Sequence, residues 1–545
     1  MTLAPSYTKG TETRDGDRPT LASAQSLAAR TLPPERIAAM SARATVAPGR
    51  REQMVLPTPW ETEPLGTVRR STPDDVRYAA ELAREAQAAW AERPLKERAK
   101  VLLRLHDLVL RRQSEALDLI QLESGKSRGH AFEEVADTAI VSRYYARSAH
   151  RHLASKRRLG ALPLITGTVE HFHPRGIVGI IAPWNYPLSM GITDALPALV
   201  AGNAVLIKPD AQTTLTGLWI ATLLDEAGLP RDLLHVLPGR GSDLGEPILD
   251  EVDFLCFTGS TTTGRLIATK AAQRLVGCSL ELGGKNAMIV LDDADLDAAV
   301  HGAIRGCFAS AGQLCISLER IYVHDSLYDE FTRRLARAAS SLRLGVGLDW
   351  TYEIGSLVSS SQLETVRRHV EDAVEKGATV LAGGQHRPDI GRYVFEPTVL
   401  ADVTPDMEAH SCETFGPVVS LYPVAHEAEA IARANDTEYG LNASVYTRDI
   451  RRGRRIAARL RAGTVNINEA YAATWASVDA PMGGWGDSGL GRRHGSYGVL
   501  KYTEPQTVAV QRFHPIAAPW FMSNETYAKL LTGALHVLRR IPGRG

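Results

Sequence analysis

The chain has 545 residues, of which 44% are hydrophobic and 23% charged, a composition typical of a globular protein with several domains. Its 62 basic and 62 acidic residues cancel, so we expect neither nucleic acid nor a membrane as a partner. No apolar run reaches the ~18 residues of a spanning helix, and the first thirty residues lack the apolar centre of a secretory signal. The five cysteines and the histidines show no CxxC or HExxH spacing, which predicts no metal site and a cytoplasmic protein with reduced thiols.

The chain begins with a segment of weak periodicity, rich in Ser, Thr, Arg and Pro, over residues 1–60. This composition predicts a mobile N-terminal arm. Folded structure is first indicated at STPDDVRYAAELAREAQAAW, where Thr72 can cap a helix and Pro73 fits its first position. Apolar residues recur at helical spacing up to Trp90, and two more helical segments follow.

Strand patterns begin at GTVEHFHPRGIVGIIAPW, which predicts a hairpin with PRG as its turn. Short β-branched runs then alternate with helical segments, a pattern typical of parallel βαβ units. A second such stretch runs from NAMIV to about residue 485. The later segment GVLKYTEPQTVAVQ is again strand-like and can pair with the hairpin.

The C-terminal stretch ETYAKLLTGALHVLRRIPGRG has the apolar spacing of an amphipathic helix and contains Arg539, Arg540 and Arg544. A basic amphipathic helix can lie on a membrane surface. Because the apolar stripe is short and the net charge is zero, we expect it to dock instead on the protein's own body or on a sister subunit.

Two residues carry the strongest chemical signal. Cys315 is surrounded by Gly312, Gln313 and Ser317, which suit a turning backbone with partial access, and a thiol in a positive environment becomes a nucleophile. Glu281 ends an apolar stretch before two glycines, where burial would raise its pKa and make it a candidate general base.

Three further motifs suggest ligand contacts. FTGSTTTG follows a strand and opens a helix, an arrangement that suits a pyrophosphate although it does not match GxGxxG. Lys208 ends a strand, where doubly wound sheets bind ligands. Asn185, in APWNYP, can donate to an oxyanion, and its alternative interpretation is an ordinary turn asparagine.

Taken together, these motifs resemble the aldehyde dehydrogenase superfamily over about residues 60–512. PWNYP, KPD, FTGS, LELGGKN, GQLC and ETFGPV occur in the family's order. The resemblance implies that Cys315 is the nucleophile, that Glu281 is the general base and that Asn185 helps to form the oxyanion hole. It also implies a dinucleotide site formed by Trp184, Lys208, Pro209, Asp210, Ala211, Gly259, Ser260, Leu282, Glu413 and Phe415.

The same resemblance implies an α/β fold with a Rossmann-like cofactor domain, an α/β catalytic domain and a β-strand oligomerisation element, in a homodimer or homotetramer. The expected ranges are 1–60 for the arm, 61–165 and 181–282 for the dinucleotide-binding domain, 283–485 for the catalytic domain, 166–180 and 498–512 for the oligomerisation strands, and 513–545 for a C-terminal extension.

Within the superfamily, GQLCISLERIYV and SGLGRRHG look most like bacterial succinate-semialdehyde dehydrogenases, which implies succinate semialdehyde as the substrate. Such enzymes hold the substrate carboxylate with two arginines and a serine. This chain has Thr193 and Ala309 at the arginine positions, and only Ser477 matches. Another cation, such as Arg305, would have to replace them.

A medium-chain or aromatic aldehyde is the alternative substrate, because Tyr471 and Trp475 lie near the family's substrate entrance. Two other functional classes stay open: an inactive structural or binding protein on a dehydrogenase scaffold, and a thiol esterase without redox chemistry.

The KPD triplet bears on the cofactor. Ala211 follows it, where family members that prefer NAD usually have a glutamate. Loss of that acid removes repulsion toward a 2′-phosphate, which Lys208 can contact, so the sequence predicts NADP. NAD remains the alternative, because Asp210 would oppose a phosphate if its carboxylate turned inward.

Overall fold

A computed structural model describes residues 30–161, 165–513 and 515–540. The chain divides into two compact units. The first unit comprises the chain up to residue 152 together with residues 174–502, and the second comprises residues 153–173 and the chain from residue 503 onward. Within the described ranges, no helix has the length and apolar character needed to cross a membrane.

The N-terminal part of the chain contains a two-stranded antiparallel sheet and a group of helices. The strands are β1 (Gln53–Leu56) and β2 (Gly66–Arg69), and the helices are α1 (Pro34–Ser41), α2 (Pro73–Ala91), α3 (Leu95–Arg111), α4 (Gln113–Ser124) and α5 (Arg128–Leu153). Helix α2 begins where the sequence predicts, after Thr72, whose N–H donates to the Asp75 carboxylate at 2.7 Å. Its buried face includes Val76 and Trp90.

The predicted mobile arm is wrong for residues 30–60, and residues 1–29 lie outside the described part of the chain. Ile37 of α1 and Leu56 of β1 are buried. Arg43 donates to the Asp225 carboxylate at 2.8 Å and to the Leu234 carbonyl at 2.8 Å. The segment is therefore fixed by partners far along the chain, which local composition cannot reveal.

The first large sheet has six strands: β5 (Ile177–Ile181), β6 (Ala204–Lys208), β7 (Leu234–Val236), β8 (Phe254–Thr258), β9 (Gly277–Glu281) and β17 (Gly489–Leu490). Their order is β17-β9-β8-β5-β6-β7, and every pair is parallel except β17 with β9. The accompanying helices are α6 (Pro187–Ala201), α7 (Thr214–Glu226), α8 (Gly241–Glu251), α9 (Thr261–Gln273) and α17 (Gly495–Leu500), with short 3-10 turns at Ala211–Thr213, Arg231–Leu233 and Gly486–Ser488.

Strand β5 corrects two predictions. The expected hairpin around PRG does not form, because β5 pairs in parallel with β6 and β8. The residues from Ile177 onward therefore belong to the six-stranded sheet and not to the oligomerisation strands predicted over 166–180. All five residues of β5 are buried, as expected for a central parallel strand and not for a hairpin edge.

The second large sheet has seven strands, all within the range predicted for the catalytic domain: β10 (Asn286–Val290), β11 (Leu318–His324), β12 (Thr379–Ala382), β13 (Thr398–Ala401), β14 (Val418–Val424), β15 (Asn442–Tyr446) and β16 (Thr464–Ile467). Their order is β12-β13-β14-β11-β10-β15-β16, with only β12 and β13 antiparallel. The helices of this region are α10 (Leu296–Phe308), α11 (Asp325–Ser340), α12 (Ser360–Glu375), α13 (Glu408–Ser411), α14 (Glu427–Asn435), α15 (Ile450–Ala457) and α16 (Ala472–Ala476).

The connection from α10 to β11 has an unusual backbone. Ser310, Ala311 and Gly312 have φ values of 51°, 56° and 73°, three successive residues in the left-handed region. A Cβ on Gly312 would lie 1.9 Å from the Gly416 carbonyl oxygen, so the two segments approach each other more closely than any other residue type at 312 would allow. The connection therefore brings the following residues, which include Cys315, against the 412–416 turn.

The second unit contains a three-stranded sheet in the order β18-β4-β3, formed by β3 (Lys156–Arg158), β4 (Thr166–Pro174) and β18 (Thr503–Gln511). The predicted pairing of the late strand with the first strand of the GTVEHFHP segment is confirmed, although residues up to Leu500 form α17 instead of strand. Helix α18 (Asn524–Leu538) forms as predicted, and none of its residues is buried in the described chain.

Candidate active site

A cavity of about 270 Å³ in the first unit lies at the carboxyl ends of β5, β8 and β9, the edge where parallel sheets bind ligands. The loop after the left-handed connection and the 412–416 turn complete its wall. Ten of the residues predicted from the sequence line it: Trp184, Asn185, Gly259, Ser260, Glu281, Leu282, Cys315, Glu413, Phe415 and Trp475.

The other predicted residues do not line this cavity. Lys208, Pro209, Asp210 and Ala211 follow the next strand, β6, along the same edge of the sheet. Tyr471 lines a second cavity. Ser477 lines neither, because its hydroxyl donates to the Ala473 carbonyl at 2.7 Å on the exposed end of α16.

The backbone around Cys315 is held from one side by Asn286. The Asn286 side-chain amide donates to the Cys315 carbonyl at 2.8 Å and to the Ser317 carbonyl at 2.7 Å. Burial, together with the negative charges of Glu281 and Glu413, raises the pKa of the Cys315 thiol to about 12. The sulfur is therefore a thiol at neutral pH in this arrangement and needs a base before it can act as a nucleophile.

Asn185 is fixed by a buried ion pair that the sequence did not reveal. Its side-chain amide donates to the Gln313 carbonyl at 3.0 Å, which uses one of two hydrogens. Its backbone carbonyl accepts from Lys126, and Lys126 pairs with Glu134 at 2.7 Å. Both charged side chains are almost fully buried, so the Asn185 turn is tied to helix α5.

Glu281, at the end of β9, is poised to exchange a proton. Its Oε1 atom is buried and has no hydrogen-bond partner within the described chain. Burial raises the pKa of Glu281 to about 7, and the charges of Arg493 and Lys501 act in the opposite direction. A carboxyl with this pKa can act as a base near neutrality.

A second buried ion pair shapes the opposite wall. Lys285 and Glu319 approach to 2.6 Å, and the Glu319 carboxylate also accepts the backbone N–H groups of Thr414 and Phe415. Lys285 further donates to the Cys412 carbonyl at 2.6 Å. Neither residue was singled out from the sequence, although Lys285 lies within LELGGKN and Glu319 within GQLCISLERIYV.

Glu413 and Phe415 face the cavity from the turn that this ion pair holds. The Gly284 N–H donates to the Glu413 carboxylate at 2.8 Å. Burial and the nearby charge of Glu319 raise the pKa of Glu413 to about 8. The Phe415 ring meets Trp184 edge to face with 5.5 Å between ring centroids, so two aromatic rings form one side of the cavity.

The end of β6 offers a buried cation. Lys208 is 3% exposed, and burial lowers its pKa, opposed by the charge of Asp210. Asp210 accepts the Gln212 N–H at 2.9 Å and thereby begins the turn Ala211–Thr213. The carboxylate that could oppose a phosphate is thus engaged in capping that turn.

The second cavity, of about 140 Å³, shares Tyr186, Leu314 and Trp475 with the first. Its polar residues include Glu133, Asp137 and Arg305. The Arg305 guanidinium lies over the Tyr471 ring, 5.2 Å from its centroid, and 3.5 Å from Glu133. Burial raises the pKa of Asp137 to about 6, against the effect of the Ser189 hydroxyl that donates to it. No group of three or more metal-binding side chains occurs among the described residues.

Comparison with known proteins identifies the fold. The model of the aldehyde dehydrogenase family matches residues 46–508. The chain belongs to this family. It is 52% identical over 480 residues to a protein of Mycolicibacterium smegmatis named "Putative succinate-semialdehyde dehydrogenase [NADP(+)]", with 88% of this chain and 93% of that protein covered.

The chain is also similar in sequence and in structure to other enzymes. The succinate-semialdehyde dehydrogenase [NADP(+)] of Escherichia coli K12 is 37% identical over 463 residues, covering 83% of this chain and 93% of that enzyme. The crystal structure of an E. coli NADP-dependent enzyme matches with a TM-score of 0.82 at 36% identity, covering 86% and 98% of the two chains. An aldehyde dehydrogenase of Bacillus cereus in complex with NAD+ matches with a TM-score of 0.81 at 36% identity, covering 84% and 93%. The predicted family, fold class and enzyme class are confirmed.

The Lys285–Glu319 pair gives the first prediction. In Glu319→Gln, Lys285 loses its buried partner and the amides of Thr414 and Phe415 lose charge-assisted hydrogen bonds. We expect hydrogen exchange at these two amides to accelerate about tenfold or more, since even ~1.4 kcal/mol of lost local stability gives that factor. Exchange mass spectrometry measures this. Glu364→Gln, on the exposed face of α12, is the control; equal exchange in both variants would contradict the prediction.

Proposed function

We propose that the protein oxidises an aldehyde to a carboxylic acid with NADP, through a thioester on Cys315. One observation carries the proposal: a thiol, a side-chain amide and an unpartnered carboxyl meet in one cavity at the carboxyl ends of parallel strands. The complete set of groups disfavours a retired scaffold, and the adjoining dinucleotide-type site disfavours a simple thiol esterase.

The residues present fit a dinucleotide. Helix α9 points its N-terminus, with Gly259 and Ser260, at the cavity, and such a terminus binds a pyrophosphate. Glu413 and Phe415 would hold the nicotinamide end, and Lys208 the adenosine end. When bound, the dinucleotide supplies the ring that accepts the hydride.

The chain's own residues account for the remaining steps. Glu281 takes the thiol proton as Cys315 adds to the aldehyde carbon, and the second hydrogen of the Asn185 amide stabilises the resulting oxyanion. After hydride loss leaves a thioester, Glu281 releases the thiol proton to solvent, and the ionised carboxylate then removes a proton from water. The water oxygen attacks the thioester carbon, and Cys315 leaves as the thiolate that regains a proton.

The catalytic residues give the second prediction. Cys315→Ala should abolish aldehyde oxidation while retaining nucleotide binding. Glu281→Gln should slow both the addition of Cys315 to the aldehyde and the hydrolysis of the thioester, so its turnover should fall without a burst of reduced cofactor. In the unmodified protein, hydrolysis should accelerate as pH rises through about 7, because Glu281 then loses its proton. Rapid-quench kinetics over a pH series measures this, and near-normal activity of Cys315→Ala would refute the mechanism.

NADP is the cofactor that we propose. Lys208 lies at the end of β6 next to Ala211, and Asp210 is occupied in capping the following turn. Lys208 is therefore a cation available to a 2′-phosphate, and the carboxylate of the nearby Asp210 is engaged with the Gln212 N–H. The names of the relatives from M. smegmatis and E. coli give the same cofactor.

The third prediction follows from this site. Ala211→Glu should lower kcat/KM with NADP and raise it with NAD, because the new carboxylate repels the 2′-phosphate and can bind the ribose hydroxyls. Steady-state kinetics with both cofactors measures the change. Ala211→Gln has the same shape without the charge and serves as the control. If the kcat/KM of the unmodified protein is well above its NADP value when NAD is the cofactor, the assignment of NADP is overturned.

Succinate semialdehyde is the first substrate that we propose, on the strength of the relatives' names. The structure offers Arg305 as the cation that could bind its carboxylate in the second cavity. The acids of the same cavity, Glu133 and Asp137, favour a second candidate, an uncharged medium-chain or aromatic aldehyde. Ser477 supports neither candidate, because it lines neither of these two cavities.

The fourth prediction decides between these substrates. With succinate semialdehyde as the substrate, kcat/KM should exceed that for hexanal and benzaldehyde, and Arg305→Met should raise the KM for the semialdehyde alone. Steady-state assays at one cofactor concentration measure both effects. If the uncharged aldehydes react about tenfold better, a difference of roughly 1.4 kcal/mol, the semialdehyde assignment fails.

We also propose a homodimer or homotetramer in the cytoplasm. Strand β18 lies at the edge of its sheet with Val508 and Val510 exposed, as a strand that pairs with another subunit would be. The five cysteines are free, as expected in a reducing compartment. Sedimentation analysis of the protein tests the assembly.

A further inference from the structure

A cluster of buried charges lies behind the wall of the catalytic cavity. Arg493 and Asp194 approach to 3.1 Å, with side-chain exposures of 4% and 5%. Lys501 approaches the other oxygen of Asp194 at 3.1 Å, and the Tyr502 hydroxyl donates to that oxygen at 2.9 Å. Two cations therefore share one carboxylate, and all three side chains are largely buried.

Arg493 connects this cluster to the cavity. Its guanidinium donates to the Thr193 hydroxyl at 2.7 Å and to the sulfur of Met190 at 2.8 Å, and Met190 itself lines the cavity. The Arg493 backbone exchanges two hydrogen bonds with Met482. The next residue, Gly483, lies against Glu281: a Cβ there would be 3.0 Å from Glu281 Oε1.

The charges around Glu281 do not balance when its carboxyl is protonated. Arg493, Lys501 and the half-buried Arg492 face it as cations, and Asp194 faces it as an anion. Asp137, whose pKa burial raises to about 6, is a second acid that faces Arg493, so the cations still outnumber the acids by one. Tyr502, Cys256 and His494, which adjoin the cluster, are held neutral by burial: the pKa of His494 falls to about 3 and that of Cys256 rises to about 12. A buried excess of positive charge is costly unless an anion is nearby.

We propose that Arg493, held in place by Asp194, is a positioning residue that provides the fixed counter-charge for the Glu281 carboxylate. The inference rests on the proposed role of Glu281 as the base. Arg493 does not contact the substrate; it acts through Glu281 and makes proton removal from the attacking water feasible near neutral pH. Asp194 prevents the arginine from forming a closed ion pair with Glu281, which would suppress its basicity.

The test measures thioester hydrolysis in single turnovers with benzaldehyde, an uncharged substrate, across a pH series. Arg493→Met should move the midpoint of the rising limb upward by about one pH unit, a tenfold slower hydrolysis below the midpoint. Arg493→Lys should restore most of the rate. Asp194→Asn removes the anion that pairs with Arg493 and Lys501, so their charges should stabilise the Glu281 carboxylate more strongly and move the midpoint downward. Arg492→Met removes the same charge from a half-buried neighbouring position and should produce a much smaller shift.

Several results would overturn the proposal. One is an unchanged midpoint in Arg493→Met; another is an equal shift in Arg492→Met. A third is an effect confined to the KM for succinate semialdehyde, which would make Arg493 a substrate-binding cation. If Arg493→Met does not fold, Lys501→Met takes its place, and its midpoint must also move upward.

The variant Glu281→Gln distinguishes a failure of the proposed base, Glu281, from a failure of the proposed role of Arg493. If this variant hydrolyses the thioester as fast as the unmodified protein, the base assignment fails and the role of Arg493 fails with it. If Glu281→Gln is slow and independent of pH while Arg493→Met behaves like the unmodified protein, only the role of Arg493 is rejected.

Discussion

The buried ion pair between Lys285 and Glu319 is the interaction on which the catalytic wall depends. A charge taken out of water must be paired and hydrogen-bonded, or the fold loses several kcal/mol. Glu319 meets that requirement by binding Lys285 and two amides of the 412–416 turn. These bonds hold the turn in the shape that brings Glu413 and Phe415 to the cavity and places Gly416 against Gly312.

The same principle acts on the other side of the cavity. Lys126 and Glu134 form a second buried pair that holds the turn of Asn185 against helix α5. The Asn185 amide and the Glu413 carboxyl are thus positioned by ion pairs from different parts of the chain, and each position depends on its pair. Carboxyls without such partners, Glu281 and Glu413, retain raised pKa values and are the groups free to exchange protons or bind a ligand.

Features encoded over short distances could be predicted from the sequence. The cap at Thr72, the alternation of strands and helices, and the motifs around Asn185, Glu281 and Cys315 are of this kind. Features set by distant contacts could not. Strand β5 looks like half of a hairpin because its partners β6 and β8 are far from the PRG turn, and the folded segment before residue 60 depends on Asp225. Arg493 reaches Thr193 across 300 positions, so no local pattern relates it to Glu281.

The backbone before Cys315 also lowers the stability of the folded protein. Ser310 and Ala311 are not glycines, and a left-handed conformation costs each of them about 1 kcal/mol relative to ordinary backbone. Part of the folding free energy is therefore stored as local strain beside the thiol, and the surrounding contacts must exceed it. The stiff approach to the thiol is thus obtained at the expense of stability, as a trade between rigidity at one point and robustness of the whole protein.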